Sequence, residues 1–327
     1  MATIVDSAGL GDAMRGAGDA MARAWHTASL SGARGVSSLL GPSGAASVVL
    51  VGSGVAAFAA RVAVATARAT VPVLVVDSFA LPAFVGRTTL VVHAGPTPEV
   101  RAIVAEATDR GAGVAELATD GSFDELAGRM LLGAQVSAWI RVLVEAGVAD
   151  DSVAADILDA ARRLDTVVPA LLALDGESAA LARSIDRLFP YVLGSGEASG
   201  LAAQWWRRQW GLTVKGPVFS ATLPQMAHDE IAMFGQNGDL SRAVLVSVVL
   251  QCAADGASSK GAVASLIDVL DEVTADVFEV SVDAGGALTQ ILELAARGDA
   301  VALHRAWSED LDPGPVPTVE EFVARLG

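Results

Sequence analysis

Uninterrupted apolar runs, rather than alternating ones, dominate the strand-like parts of this chain. Ser47-Val-Val-Leu-Val51 is the first. It enters a glycine-containing turn and then a helix-like run to Arg68. "VPVLVVDS", ending at Asp77, is the second, and "TTLVVHAG" the third, with Pro96 breaking it before "EVRAIVAEATDRG". "GVAELATDGSF" reads as a fourth strand and its turn. Continuous apolar strands alternating with helical stretches predict a parallel sheet covered on both faces. Residues 124–185 read as mostly helical, with Asp150 and Asp151 suited to a helix N-terminus. A second alternating unit begins at "FPYVLGSG". Its later strands are expected in "GPVFSATL", "RAVLVSVVLQC" and "DVFEVSV", and it closes with the helix "ALTQILELAARGDAVALHRAWSEDL" and a proline-rich tail. The first forty residues, rich in alanine, read as helical. The expected organisation is two α/β halves with a helical bridge, and no short repeat is visible.

Composition narrows the classes. The 327 residues are 52% hydrophobic and 18% charged, which suits a packed globular protein. A net charge of −16 argues against nucleic acid as a partner. The single cysteine, Cys252, allows no intrachain disulfide and no cysteine-based metal cluster. The start, "MATIVDSAGLGDAMRG", lacks the basic and apolar regions of a signal peptide, so a cytoplasmic location is expected. The long uncharged stretch Gly35–Ala60 is broken by Pro42 and repeated Gly and Ser. It reads as loop, buried strand and helix start rather than a membrane span.

Two stretches carry candidate chemistry. Gly52-Ser53-Gly54-Val55-Ala56-Ala57 fits G-x-G-x-x-A between a strand and a helix. Such a turn presents backbone N–H groups at a helix N-terminus to an anion. With Asp77 at the end of the next strand, it also admits a NAD(P)-binding reading. "LPQMAHDEIAMF", Leu223 to Phe234, sets His228 between a proline turn and an expected helix start, in a chain with four histidines. "QWWRRQW" could stack on sugars, but Trp205, Trp206 and Trp210 fit core or interface anchors better.

The order "VVLVGSG" to "VPVLVVDSFALPAFVGRTTLVVHAGPTPE" resembles the first domain of sugar-isomerase (SIS) proteins. "WRRQWGLTVKGPVFSATLPQMAHDEIAMF" resembles a segment of the bifunctional phosphoglucose/phosphomannose isomerases, W-K/R-x-Q-x-N-E-N-x-K-x-P followed by L-P-E-x-N-H-N-E-I. "GDAVALHRAWSEDLDPGPVP" resembles that family's C-terminal helix and D-P-T-P-V tail. The resemblance runs from about residue 45 to the end. It implies a double SIS fold, α/β throughout: an N-terminal helical segment (1–44), a first SIS subdomain (45–165) and a second (166–327). It also implies a homodimer, and aldose–ketose isomerisation of a hexose 6-phosphate through an enediolate, with neither metal nor cofactor. Such chemistry needs a base near its operating pH and electrostatic help for the oxyanion.

Roles carry over unevenly. His228 matches the ring-opening histidine, and Arg129 the enediolate-side arginine. The turn residues Gly52, Ser53, Gly54 and Ala56, together with His93, Gly95 and Thr97, stand where the family binds its substrate. Thr97 matches the threonine of the phosphate loop S-Y-S-G-N-T. That loop's two serines fall on Val92 and Ala94 and its asparagine on Pro96, while the serine of the first turn falls on Ala56. The base glutamate falls on Leu212. A C-terminal lysine falls near Val323, with Arg325 as its possible substitute. Glu230 already matches the glutamate of H-N-E, and Glu197 is the nearest other acid upstream. Losing a general base typically costs about 10²–10⁴ in rate. The favoured reading is therefore a sugar-phosphate isomerase homologue that binds a carbohydrate derivative with little or no turnover. Three alternatives stand beside it: an isomerase with a relocated base, a regulatory or partner subunit (as in a heterodimer with an active isomerase), and a NAD(P)-dependent oxidoreductase.

Overall fold

The computed structural model describes residues 5–40, 44–119, 129–234 and 238–326. The chain forms two compact units. The first comprises residues 16–161 and 319–327, the second residues 1–15 and 162–318. The expected boundary near 165 and the observed division fall in one helix, α6 (Val153–Leu171), which carries the chain from unit to unit. The start of the expected helix at 124 lies outside the described residues. Helix α1 (Leu10–Arg15) belongs to the second unit.

The first unit runs α2 (Ala17–Thr27), β1 (Ser29–Arg34), β2 (Ser47–Val51), α3 (Gly54–Thr66), β3 (Val73–Val76), β4 (Thr89–His93), α4 (Pro98–Asp109), β5 (Gly113–Ala118) and α5 (Leu132–Glu145). Its sheet has the order β1-β5-β4-β2-β3. The four strands expected from the apolar runs are all present and pair in parallel. Val48, Val49, Leu50, Leu90 and Val91 are fully buried, as strands covered on both faces require. Each such side chain contributes roughly 1.5–3 kcal/mol. One face packs on a cluster that includes Val49, Val51, Val91, Val100, Ile103 and Val114. Across the sheet, Trp139 Nε1 of α5 donates to the Ala56 carbonyl at 2.9 Å and ties α3 in place.

Residues 29–34 differ from the helical reading of the first forty. They form an antiparallel edge strand on β5, with an irregular register between Ser31 and Arg34. Gly32, at φ +60, sits inside that irregularity. "SLSGAR" contains one large apolar residue. Ladder hydrogen bonds, not burial, make it a strand.

The second unit contains α7 (Glu177–Ile185), β6 (Phe189–Gly194), α8 (Glu197–Thr213), β7 (Phe219–Thr222), α9 (Gly238–Val244), β8 (Leu245–Cys252), α10 (Ala257–Val273), β9 (Val277–Val282), α11 (Ala287–Ser308) and α12 (Pro317–Leu326), the last ending in the first unit. Its sheet, β7-β6-β8-β9, is wholly parallel. The tryptophans of "QWWRRQW" are core anchors. Trp205 Nε1 and Gln209 Nε2 both donate to the buried Asp299 carboxylate, at 2.8 and 2.7 Å, and Trp206 Nε1 donates to the Leu294 carbonyl. Glu293, also on α11, is 1% exposed and takes Arg163 through two hydrogen bonds and Arg297 through a third. Burial opposes ionisation of Glu293, but the two guanidiniums outweigh it and its pKa is lowered. Asp312, in the D-P tail motif, accepts the Ser7 and Gly314 amides and so fastens α1 to the end of the unit.

The two sheets are wound alike. β6, β7, β8 and β9 hold the places of β2, β3, β4 and β5. In each, the first strand is followed by a neighbour on one side, and the chain then crosses to the other side. The order therefore reverses between β2 and β4 in one unit and between β6 and β8 in the other. Ligand crevices of open α/β sheets lie beyond the carboxyl ends of the strands at such a reversal.

Candidate functional site

In the first unit the expected binding residues meet at this reversal. Val51 pairs with His93, and the Ala94 amide donates to the Val51 carbonyl at 2.9 Å, so the loops after β2 and β4 share one edge. Gly52 and Ser53 form the turn into α3. A Cβ on Gly52 would come within 3.2 Å of the Ala57 nitrogen, so glycine allows strand and helix to close up. Gly54, at φ +58, and Gly95, at φ +80, adopt the left-handed backbone that favours glycine. Thr97 is the N-cap of α4 and Ser53 that of α3, yet neither side chain caps its helix. Ala56 lies in the first turn of α3.

Among the described residues, His93 Nδ1 and Thr97 Oγ1 at this edge are buried with no hydrogen-bond partner. Burying a polar group unsatisfied costs about 1–3 kcal/mol, so such atoms mark a place where something else completes the bonding. Burial lowers the His93 pKa, with Glu116 on β5 acting in the opposite sense. The imidazole is thus held toward its neutral form. Val92 is 1% exposed within the sheet, and Ala94 and Ala56 bring no hydroxyl. Arg129 is buried in the same unit. Asp77, the ribose-binding acid of the dinucleotide reading, pairs with Arg61 of α3.

His228 lies in the second unit. The expected helix start is instead two short 3-10 turns, Gln225–Ala227 and Glu230–Phe234, with His228 closing the first. Its amide donates to the Gln225 carbonyl at 2.9 Å. Its side chain is exposed, and among the described residues the imidazole has no hydrogen-bond partner. Beside it, Asp229 accepts from Gln225 Nε2 and from the Glu230 amide, which lowers its pKa. Glu230 accepts the Tyr191 hydroxyl at 2.8 Å. Burial first, then Glu230, raises the Tyr191 pKa, so the phenol stays protonated as the donor. Glu230 is thereby engaged in holding β6. Leu212 is half-buried in the last turn of α8. Glu197 is exposed in the first turn of α8. Val323 falls in α12, its side chain outside the described residues, and Arg325 on the same helix pairs with Glu321. Among the described residues no cluster of His, Cys, Asp and Glu is arranged to hold a metal, and no helix is long and apolar enough to cross a membrane.

The carboxyl edge of the second sheet is built differently. Asp255, in the loop after β8, places its carboxylate on the N-terminus of α8. Oδ1 accepts the Ala198 and Ser199 amides at 2.9 and 3.2 Å. Oδ2 accepts Ser195 Oγ at 2.7 Å and Cys252 Sγ at 3.5 Å. Burial pushes the Cys252 thiol up to about 12, so it serves as a protonated donor rather than a nucleophile. Sequence reading passed over Asp255. Its one visible signal was its place in a second strand–turn–helix unit, "CAADGASS".

Comparison with known proteins accords with this architecture. Residues 174–326 match the family model described as the bacterial phospho-glucose isomerase C-terminal SIS domain. Just under half of the chain is thus similar to a SIS domain of that kind. No curated protein matches it in sequence. Among solved structures it is similar to the C-terminal domain of glucosamine-fructose-6-phosphate aminotransferase from Francisella tularensis, with 11% identity, a TM-score of 0.67, and coverage of 94% of this chain and 98% of that one. It is also similar to a glucose-6-phosphate isomerase from Chlamydia trachomatis, with 9% identity and a TM-score of 0.61, covering 96% and 72%. A glucose-6-phosphate isomerase like protein from Thermus thermophilus shares 18% identity at a TM-score of 0.54, covering 96% and 95%. At these identities the likeness is one of fold. The double α/β SIS architecture expected from the sequence is the one observed.

Proposed function

We propose that this protein is a sugar-phosphate isomerase homologue that binds a carbohydrate derivative at the β2/β4 edge of its first unit and turns it over little or not at all. The observation that carries the reading is the pair of buried atoms there with no partner among the described residues, His93 Nδ1 and Thr97 Oγ1, on an edge that also holds Ser53 but is otherwise mostly Gly, Ala and Val. A sugar hydroxyl or phosphoryl oxygen gives both atoms a partner. Ala56, Val92 and Ala94 withhold three hydroxyls that an ordinary isomerase of the resembled family directs at a phosphate, and Leu212 cannot move a proton. Binding without rapid chemistry follows. The test is isotope exchange at C2 of glucose, mannose and fructose 6-phosphates, run beside a binding titration of the same compounds. Saturable binding with exchange at least about 10²-fold below the roughly 10 s⁻¹ of a typical enzyme is expected. Exchange within tenfold of that value removes the degenerate reading and leaves an active isomerase with a relocated base.

A second reading rests on His228. Its imidazole is exposed and has no hydrogen-bond partner among the described residues, which suits a group that serves a site outside its own unit. In a mixed dimer with an active isomerase this chain would supply the ring-opening histidine. His228→Ala made only in this chain should then lower the activity of the mixture. Unchanged activity, or homodimers alone by mass measurement, removes this reading.

A further inference from the structure

We infer that the second unit retains an oxyanion site at its β6/β8 edge and that the chain fills it with its own Asp255 carboxylate. The argument begins with register. Two residues separate the end of β2 from α3, and two separate β6 from α8, so Gly52 and Ser53 correspond to Ser195 and Gly196, and Ala56 to Ser199. At the second edge both hydroxyls are present. Ser195 Oγ and Ser199 Oγ lie 3.2 Å apart, and Ser199 Oγ accepts the Gly196 amide at 3.2 Å. Two backbone amides, a hydroxyl and a thiol converge on one carboxylate, at the positive end of a 17-residue helix. That donor set has the form that receives a small oxyanion such as phosphate. The loop after β8 has the same four residues as its counterpart after β4, but its 3-10 turn, Ala253–Asp255, folds the carboxylate back onto α8. Gly256 at φ +80 repeats the left-handed backbone of Gly95 and turns the chain into α10.

The fit is tight. A Cβ on Gly196 would lie 2.7 Å from Asp255 Cβ, Cγ and Oδ1. Gly196 has φ −171, extended backbone that any residue adopts, so the carboxylate alone excludes a side chain. The consequence is that, among the described residues, the fold builds this crevice in each unit and closes the one in the second with its own side chain. This holds whether or not the first crevice takes a sugar.

The experiment uses the full chain. Gly196→Ala should lower Tm by about 5 °C in the native background and by about 1 °C or less when Asp255→Gly is also present. The Asp255→Gly protein, titrated with inorganic phosphate and followed by ³¹P line broadening, should gain one binding event per chain over the wild type, with Kd on the order of 1–10 mM. Phosphate taken by the first unit appears equally in both proteins and is the baseline. An equal cost of Gly196→Ala in both backgrounds overturns the inference, as does a folded Asp255→Gly protein that binds no more phosphate than the wild type. Should Asp255→Gly unfold, its refolding in phosphate but not in chloride of matched ionic strength supports the inference, and refolding indifferent to the anion overturns it.

Discussion

The carboxyl edges of the two sheets share a winding and differ in what completes them. At the β6/β8 edge, Ser195, Ser199 and the first amides of α8 are satisfied by Asp255, a residue of the same unit. At the β2/β4 edge, the corresponding positions are Gly52 and Ala56, the N-cap side chains of α3 and α4 make no capping bond, and His93 Nδ1 and Thr97 Oγ1 are buried without partners among the described residues. The edge with hydroxyls at these two positions is thus the one closed by protein. The edge without them is the one left unsatisfied. Satisfied buried polar groups hold a fold together, and unsatisfied ones cost stability unless a ligand completes them.

The largest expected change comes from refitting the β2/β4 edge. Leu212→Glu alone should restore little hexose 6-phosphate isomerisation. Leu212→Glu with Ala56→Ser, Val92→Ser and Ala94→Ser should raise it by about 10²-fold, more than the product of the separate effects, since turnover needs both a base and a held phosphate. Full activity from Leu212→Glu alone, or strictly multiplicative effects in a coupled assay, would break the account of that edge.

Next comes a matched pair. Ser195→Ala removes a donor from a completed carboxylate and should cost roughly 1–2 kcal/mol in urea unfolding. Thr97→Val removes a buried hydroxyl that has no partner among the described residues and should raise stability by about 1 kcal/mol, while weakening sugar binding about tenfold. Equal losses from the two substitutions would erase the contrast.

The smallest effect is one of pH. Burial lowers the pKa of both His93 and His304, the latter bonded through Nε2 to the Leu171 carbonyl at 2.9 Å. A histidine whose folded pKa lies below its unfolded value of 6.5 favours the fold fully above 6.5. That contribution fades as pH falls toward the folded value, because the unfolded chain takes up the proton first. Glu293 and Asp312, with lowered values, lose their contribution only at more acidic pH, below their ordinary 4.5 and 3.8. Between pH 7.5 and 5.5, Tm should therefore decline with acid. His93→Gln should recover about 1 °C of the decline. An unchanged pH profile in His93→Gln would show that the first edge does not hold its imidazole neutral.

Much of the fold was legible because its strands are buried on both faces. Runs such as Ser47–Val51 and Leu245–Cys252 are apolar throughout, and few other structures use such runs between helices. Where burial does not dictate the element, the pattern was silent. "SLSGAR" is a strand because β5 offers it a ladder, and Glu230–Phe234 is a 3-10 turn although its apolar spacing suits a helix start. The first crevice could be read because its residues cluster within short loops after β2 and β4. The closing of the second could not. Asp255 meets Ser195 across 60 residues of sequence, and nothing in "CAADGASS" tells a capping carboxylate from a solvated one. The doubling was legible as a second alternating unit from "FPYVLGSG", because winding and strand pattern are kept while the loop residues are not.

Asp312 also bears on how the protein is made. Its carboxylate holds the amide of Ser7, 305 positions earlier in the chain, within a unit that opens with residues 1–15 and resumes only at residue 162. At about 5–20 residues per second, the ribosome delivers Asp312 roughly 15–60 s after Ser7. For the first half of that interval α1 has none of the rest of its unit, and throughout it lacks its fastening. A segment synthesised early in this chain is thus among the last to be fastened.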